Sequence, residues 1–387
     1  MNTLINTDTR TSTIAFPFGS TETTIRIGYM MPAEELKAIK HYCAEAIIIA
    51  DQYVNDLWNN EIYNRLSNIL PVHLYTVNAT ESEKTLATVT TLLESIMLTE
   101  PSRCTAIISF GGGLTGNIAG VIAGLLFRGV RLIHIPTTLL AMSDAILSQK
   151  QAVNGPISKN TFGLYHKATL NFIDIKYLST IDQLHLYGGI IEIVKNCLTF
   201  DQEAIGKLSH LLELPFTPEK LLQLVELGIR QKSRLLKADP FEKEQGIVLE
   251  YGHTIGHSLE LNIRHLFHGQ AVGLGMLAAA YIAGRRGWIT SDDIGLHVAL
   301  LRLCECPLRI PDHTSIENVM QSVKSDNKKG KIPHTSSETP MILLDGIGKV
   351  RTNYDSYLVP VALSEITAAI AVLKTDYFES AAYVNSI

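Results

Sequence analysis

Cysteine is scarce in this chain and odd in number: Cys43, Cys104, Cys197, Cys304 and Cys306 are the five in 387 residues. They form no repeated close pairs at metal-finger spacing, and a chain of this length needs no disulfide staples, so a reducing cytoplasm is the expected setting. An excess of positive charge is also lacking. The 33 Lys and Arg are dispersed and outnumbered by 38 Asp and Glu, for a net charge of -5. No basic stripe follows, and nucleic acid is not an expected partner. Long hydrophobic runs are missing too. Apolar segments are short and broken by glycine or charge, and the N-terminal MNTLINTDTRTSTIAF has no basic stretch leading into a segment of signal length. Neither export nor a membrane partner is expected.

What is present divides in two. The length exceeds what one hydrophobic core usually serves, so two domains sharing a cleft are expected, residues 1–180 and 181–387. In the first, strands are expected at 23–30, 44–51 (AEAIIIAD), 72–78, 105–113 (TAIISFGGG) and 130–138 (VRLIHIPTT), alternating with helical runs at 63–70, 84–98 and 114–129. That alternation is the pattern of an open α/β sheet of nucleotide-binding type. After about residue 180 the β-branched signals fade, and GGIIEIVKNCL, KLLQLVELGIRQKSRLL, GHTIGHSLEL and AVGLGMLAAAYIAG all read as helix. The polar stretch 324–338 reads as a loop, MILLDGIGKV as a short hairpin and LSEITAAIAVL as a helix.

The run GGGLTGN ends a strand and opens a helix, where unpaired amides can face an anion such as a pyrophosphate. It lacks both GxGxxG spacing and a P-loop lysine, so tight packing beneath a turn is an equal reading of the segment alone. Asp51, ending the earlier strand, suits either a ribose hydroxyl or a solvated turn.

Downstream, LEYGHTIGH places His253 and His257 on one face of a helix that starts near Gly252, and a turn returns His268 toward that face. Taken singly, each histidine reads as an ordinary helix-face residue. A catalytic divalent metal takes three protein ligands and keeps a position open, which calls for an acid. Glu192 in GGIIEIVKN is the candidate, with Lys195 and Asn196 on its face. Glu192, His253 and His268 together read as a metal set, with His257 either a further ligand or an acid–base neighbour. Such a set suits zinc or cobalt better than magnesium. Between the halves, MSDAILSQKQAVNGPISKN offers Asp144, Lys150, Asn154, Lys159 and Asn160, amines and amides fit for a small oxygen-rich anion, which Lys84, Arg128 and Lys328 could complete.

These segments together, with ESEK, SFGGGLTGNIAG, RGVRLIHIPTTLLAMSD, SKNTFGLYHK, EIVKN, GHTIGH and HGQAVGLGM, resemble the sugar-phosphate cyclase superfamily typified by 3-dehydroquinate synthase, over most of residues 20–355. The resemblance implies a Rossmann-like NAD-binding domain followed by a mainly α-helical metal-binding domain. It implies NAD near Asp51, Glu81, Lys84, Gly112, Gly113, Asn117, Thr137, Thr138 and Thr180, with Lys159 in the SKN stretch. Glu192, His253 and His268 carry over as zinc or cobalt ligands. Asp144, Lys150, Lys195, His257, Asn160 and Lys328 carry over as groups that handle the substrate or its phosphate, and Arg128 as an arginine that reaches across a homodimer interface.

Three departures are informative. Asn117 stands where 3-dehydroquinate synthase has aspartate, Glu250 where it has asparagine, and Gly246 where it has an arginine that grips a substrate carboxylate. Losing that bidentate partner disfavours an acidic heptulosonate and suits a sugar carrying only phosphate. The wording GGGLTGN, SQKQAVN, LEYGH and DNK follows the branch that carbocyclises D-glucose 6-phosphate, and Glu250 is its expected general base. The competing expectations are a heptulose-phosphate cyclase and a metal-dependent polyol dehydrogenase that releases NADH.

Overall fold

The computed structural model describes residues 4–6, 11–156, 159–325, 328, 330–353 and 356–380. Asp326 and Asn327 of the DNK triplet and Ser158 of the SKN stretch lie outside the described residues. The chain forms two compact units, one running to Ile181 and including Lys232–Phe241, the other made of Asp182–Gln231 and the chain from Glu242. The segment 232–241 returning to the first unit is a feature that a single cut of the sequence does not contain.

The first unit is built on an eight-stranded sheet. Its strands are β1 (Leu4–Asn6), β2 (Thr11–Phe18), β3 (Thr21–Gly28), β4 (Glu45–Asp51), β5 (Val72–Val77), β6 (Thr105–Gly111), β7 (Arg131–Pro136) and, beyond a separate hairpin of β8 (Lys150–Val153) and β9 (Phe162–Tyr165), β10 (Leu170–Asp174). The spatial order is β1-β2-β3-β10-β7-β6-β4-β5. β1, β2 and β3 pair antiparallel, and every pairing from β3 to β5 is parallel. Parallel strands covered on both faces need continuous apolar runs, which is why all seven residues of β6 are buried. The helices of this unit are α1 (Ala33–Leu36), α2 (Gln52–Leu57), α3 (Glu61–Ser67), α4 (Leu86–Met97), α5 (Gly113–Leu125) and α6 (Leu139–Ser143). Val89, Leu92 and Ile96 of α4 join Ile118, Val121 and Ile122 of α5 in one cluster over Ile47, Ile107 and Leu132.

The chain runs outward from β4 to β5, then returns to lay β6 on the other side of β4. That reversal is the topological switch point of an open sheet, the place where such sheets form a crevice outside their strand C-termini. Asp51 ends β4 and the glycine run ends β6, so both stand at the switch.

The second unit is mainly helical: α7 (Gln183–Phe200), α8 (Ile205–Leu212), most of α9 (Pro218–Ala238), α10 (His253–Asn262), α11 (His268–Arg285), α12 (Ser291–Leu303), α13 (Ile316–Val323) and α14 (Leu363–Val372). The expected hairpin within MILLDGIGKV is reduced to a single Leu344–Val350 bridge, because β11 (Glu338–Met341) pairs instead with β12 (Val359–Ala362). The first unit also holds strands not foreseen from the sequence, β1, β2, β8, β9 and β10.

Close approach of helices sets the geometry that follows. A Cβ on Gly275 would stand 1.9 Å from the Gly252 carbonyl oxygen, and one on Gly269 would stand 2.4 Å from Gly188 Cα. Only glycine lets α11 lie this near both the start of α10 and the face of α7.

Candidate metal centre and cofactor cradle

Three helices converge on one point. Glu192 lies one turn beyond Gly188 on α7, His253 is the first residue of α10 and His268 the first of α11. Glu192 Oε1 is 3.6 Å from His253 Nε2 and 3.5 Å from His268 Nε2. These gaps are too long for hydrogen bonds of good geometry. They match the edge, about 3.4 Å, between two ligands each about 2.1 Å from a tetrahedral ion. Glu192 Oε1 is also buried with no hydrogen-bond partner, whereas Oε2 accepts a hydrogen bond from the buried Lys195 ammonium. The donor set therefore fits a divalent ion.

Each imidazole is fixed from behind. His253 Nδ1 donates to the Tyr251 carbonyl at 3.1 Å, and His268 Nδ1 meets Glu260 Oε2 at 3.1 Å. Both contacts leave Nε2 turned toward Glu192, the arrangement by which outer groups orient metal ligands. His257 completes the cluster: one nitrogen from each of His253, His257 and His268 lies within 4.8 Å of the others. His257 stands on the same face as His253, ring centroids 5.0 Å apart.

The electrostatics are unequal. Burial pushes the Glu192 carboxyl up, but Lys195 and the histidines outweigh it and hold it well below the usual range. Burial and the neighbouring His253 press His257 down to about 3, so it is neutral at physiological pH. Burial also acts to lower His268, yet the nearby Glu192 and Glu260 carboxylates bring it up to about 10. Glu250 accepts a hydrogen bond from the fully buried Lys328 at 3.1 Å. Burial raises its carboxyl, and Lys328, His253 and His257 reverse the sign and hold it far below normal.

In the first unit the expected cofactor residues follow the C-terminal ends of parallel strands. Asp51 caps α2, its Oδ1 accepting from the Tyr53 and Val54 amides at 3.0 and 3.4 Å. Gly112 and Gly113 open α5, whose N-terminus has no side-chain cap, leaving its first amides for an anion. A Cβ at Gly111 would lie 2.8 Å from Thr115 Oγ1 and 3.0 Å from Asp51 Cβ, so the turn lies directly against Asp51. Thr137 and Thr138 follow β7, and Thr180 ends the turn after β10. The Thr137 hydroxyl is buried without a partner, and Thr138 caps α6. Asn117 is engaged at both ends, donating to Gly113 O at 2.8 Å and accepting from Ala152 N at 2.9 Å, so it ties β8 to the glycine turn.

A polar knot forms around Asn154. Lys84 Nζ donates to Asn160 Oδ1 at 2.5 Å, Asn160 N to Asn154 Oδ1 at 3.0 Å, and Asn154 Nδ2 to Glu81 Oε2 at 2.8 Å, with Lys159 Nζ 3.9 Å from Glu81. Lys150 opens β8, which sits against α5 because Gly120 leaves room for the Gln151 side chain. Asp144 accepts from the buried Lys232 at 2.7 Å. Arg128 is not gathered with these groups. It is exposed just past the C-terminal end of α5, roughly 20 Å along the helix from the glycine turn.

The sequence reading missed Glu260, Tyr251 and Lys232. Glu260 had a signal, since it lies seven positions after His253 and three after His257, on their helix face. Lys232 had none, because its partner Asp144 is far away along the chain.

Residues 74–187 match the 3-dehydroquinate synthase N-terminal family and residues 189–329 its C-terminal family. The chain is 34% identical to 2-deoxy-scyllo-inosose synthase of Micromonospora echinospora over 360 residues, 92% of this chain and 90% of the relative. A crystal structure of 2-deoxy-scyllo-inosose synthase complexed with carbaglucose-6-phosphate, NAD+ and Co2+ superposes with a TM-score of 0.84 at 33% identity, covering 92% of this chain and 99% of that one. ValA, a 2-epi-5-epi-valiolone synthase from Streptomyces hygroscopicus with NAD+ and Zn2+ bound, gives 0.79 at 26% identity, covering 91% and 96%. With a parallel sheet at the switch point and a Glu–His–His cluster on three helices, the chain belongs to the 2-deoxy-scyllo-inosose synthase family, within the 3-dehydroquinate synthase-like sugar-phosphate cyclases.

Proposed function

We propose that the chain carbocyclises D-glucose 6-phosphate to 2-deoxy-scyllo-inosose with release of phosphate, and that NAD and a divalent ion, zinc or cobalt, serve as its resident cofactors. The observation that carries this reading is the orphaned Glu192 Oε1 facing two Nε2 atoms at ion-ligand spacing. The ligands bound by the solved relatives support it.

When bound, NAD supplies reversible hydride acceptance and the ion supplies Lewis-acid polarisation of a sugar hydroxyl. Glu192, His253 and His268 hold the ion. Asp51, Gly112, Gly113, Thr137, Thr138 and Thr180 hold NAD with Glu81, Lys84 and Lys159, while Asn117 seats the adjoining strand. A ketone at C4 acidifies the C5 proton, whose loss expels phosphate from C6. After reduction at C4 the ring opens, and C6 attacks the C1 aldehyde to close the carbocycle.

Lys150, Asn160 and Lys328 are assigned to the sugar phosphate, and Asp144 and Lys195 to the sugar's hydroxyls. His257, neutral at working pH, accepts a hydrogen bond or a proton from the sugar. Glu250, ionised beside Lys328, is the carboxylate assigned to proton transfer in ring opening and closure. A Glu250→Gln variant is expected to lose at least about 100-fold in kcat; full turnover with an unchanged pH profile would remove that role.

We also infer a cytoplasmic homodimer. The exposure of Arg128, far from its own chain's glycine turn, supports a role at a partner's phosphate. The described cysteines are all free, which suits a reducing compartment. Among the described residues no helix is long and apolar enough to cross a membrane.

The test is incubation with substoichiometric NAD and Co2+, comparing glucose 6-phosphate, sedoheptulose 7-phosphate and the acidic heptulosonate phosphate. Many phosphates released per NAD from glucose 6-phosphate, with a carbocycle of the right mass, support the proposal. Preference for the heptulosonate would assign the chain to the synthase of that substrate, and NADH accumulating without phosphate would assign it to polyol dehydrogenases.

A further inference from the structure

We propose that His297, on α12, is a positioning residue for the ion site, acting through Tyr251 to fix the orientation and tautomer of His253. The inference rests on the reading of Glu192, His253 and His268 as the ion's ligands.

His297 and Tyr251 are both fully buried, and no step of the reaction uses either. Their hydrogen bonds leave one assignment of protons. His297 Nδ1 lies 2.7 Å from the Asp293 carbonyl, which can only accept, so Nδ1 carries the proton and Nε2 is bare. The Tyr251 hydroxyl, 2.9 Å from that Nε2 and 3.5 Å from the Met276 carbonyl, donates to the nearer acceptor, Nε2. At its other end Tyr251 offers its backbone carbonyl to His253 Nδ1 at 3.1 Å, which again can only be a donor, so His253 Nε2 is the bare nitrogen facing Glu192.

Tyr251 is thus pinned at both ends, by α12 through its ring and by a metal ligand through its backbone. The peptide between them has little freedom. Gly252 takes φ 78°, and a Cβ there would stand 2.7 Å from Met276 Cγ and 2.8 Å from the Val272 carbonyl. With the turn wedged against α11, the phenol anchor sets where the Tyr251 carbonyl points. Burial holds the His297 imidazolium form down to about 4, so the neutral relay persists at working pH. Capping at the start of α12 steadies its far end: Thr290 and Asp293 exchange hydrogen bonds of 2.8 and 3.1 Å.

The test is Co2+ affinity, measured by competition with a chelating dye in the full chain, for the parent, His297→Leu, His297→Gln, Tyr251→Phe and the Leu/Phe double variant. His297→Leu and Tyr251→Phe are each expected to weaken Co2+ binding about 10–100-fold. The double variant should lose no more than either alone, since both cut one relay. His297→Gln, whose amide can donate to Asp293 and accept from Tyr251, should recover most of the affinity. Parent-like affinity in both single variants, or losses that add, overturns the proposal. Should His297→Leu fail to fold, Tyr251→Phe, which removes only a hydroxyl, decides alone. Glu192→Gln separates the two levels: if it leaves Co2+ affinity unchanged, the ion site itself is wrong, whatever His297 does.

Discussion

Glu192 serves three neighbours with two oxygens: Lys195 takes one, and the two imidazoles face the other. A buried ion pair broken at one partner leaves an uncompensated charge, which costs about 3–5 kcal/mol. Both side chains are only 3% exposed, so Lys195→Met should destabilise the ion-free protein by about that much, and saturating Co2+ should return part of it. Urea denaturation with and without Co2+ measures both; equal losses in the two conditions would contradict the arrangement. The titration of His268 makes a second prediction. Its acidity is set near 10 by Glu192 and Glu260, so at neutral pH it carries a proton that an incoming ion must displace. Co2+ affinity should therefore rise roughly tenfold per pH unit between 6 and 8, with about one proton released per ion in calorimetry across buffers. A flat profile would contradict it. At this scale the histidines were legible because helical spacing is local. The Tyr251 carbonyl and the Lys232–Asp144 pair were not, because a backbone acceptor has no sequence signature and distant partners meet only through the fold.

Among the elements, the glycines of α10 and α11 decide whether the ligands meet. Gly275→Ala drives a methyl to within 1.9 Å of the Gly252 carbonyl, so α10 must shift and carry His253 with it. We expect a loss of about 2 kcal/mol or more together with weakened Co2+ binding. Gly206→Ala, with nothing within 4 Å of the added methyl, should leave binding unchanged and raise stability by roughly 0.5–1 kcal/mol. Thermal melts and Co2+ titrations of the pair check this, and parent-like behaviour of Gly275→Ala would show that close packing is dispensable. The parallel strands were readable because β4 carries the apolar run Ala46–Ala50 and β6 is apolar apart from Thr105 and Ser109. β2 escaped notice because Pro17 interrupts it, and the β8–β9 hairpin because its polar residues read as a binding segment. β11 escaped notice because its partner β12 lies 18 residues beyond it, outside a local hairpin reading.

For the molecule as a whole, each unit carries a chemically complete part: an α/β sheet with a glycine turn and an acid at its switch point, and a helical unit with an ion-ligating cluster held from behind. The composition pointed away from membrane and nucleic-acid roles early, and combined motifs pointed to the family where each motif alone was weak. The return of residues 232–241 to the first unit was invisible, since a helix shared between units has the same periodicity as any other. The central claim is that one carboxylate oxygen and two imidazole nitrogens from α7, α10 and α11 hold a divalent ion. Anomalous diffraction from Co2+-loaded crystals tests it most directly. A peak roughly 2.0–2.2 Å from Glu192 Oε1 and from the Nε2 atoms of His253 and His268 is the predicted result; saturating Co2+ with no peak among these three atoms would contradict the account.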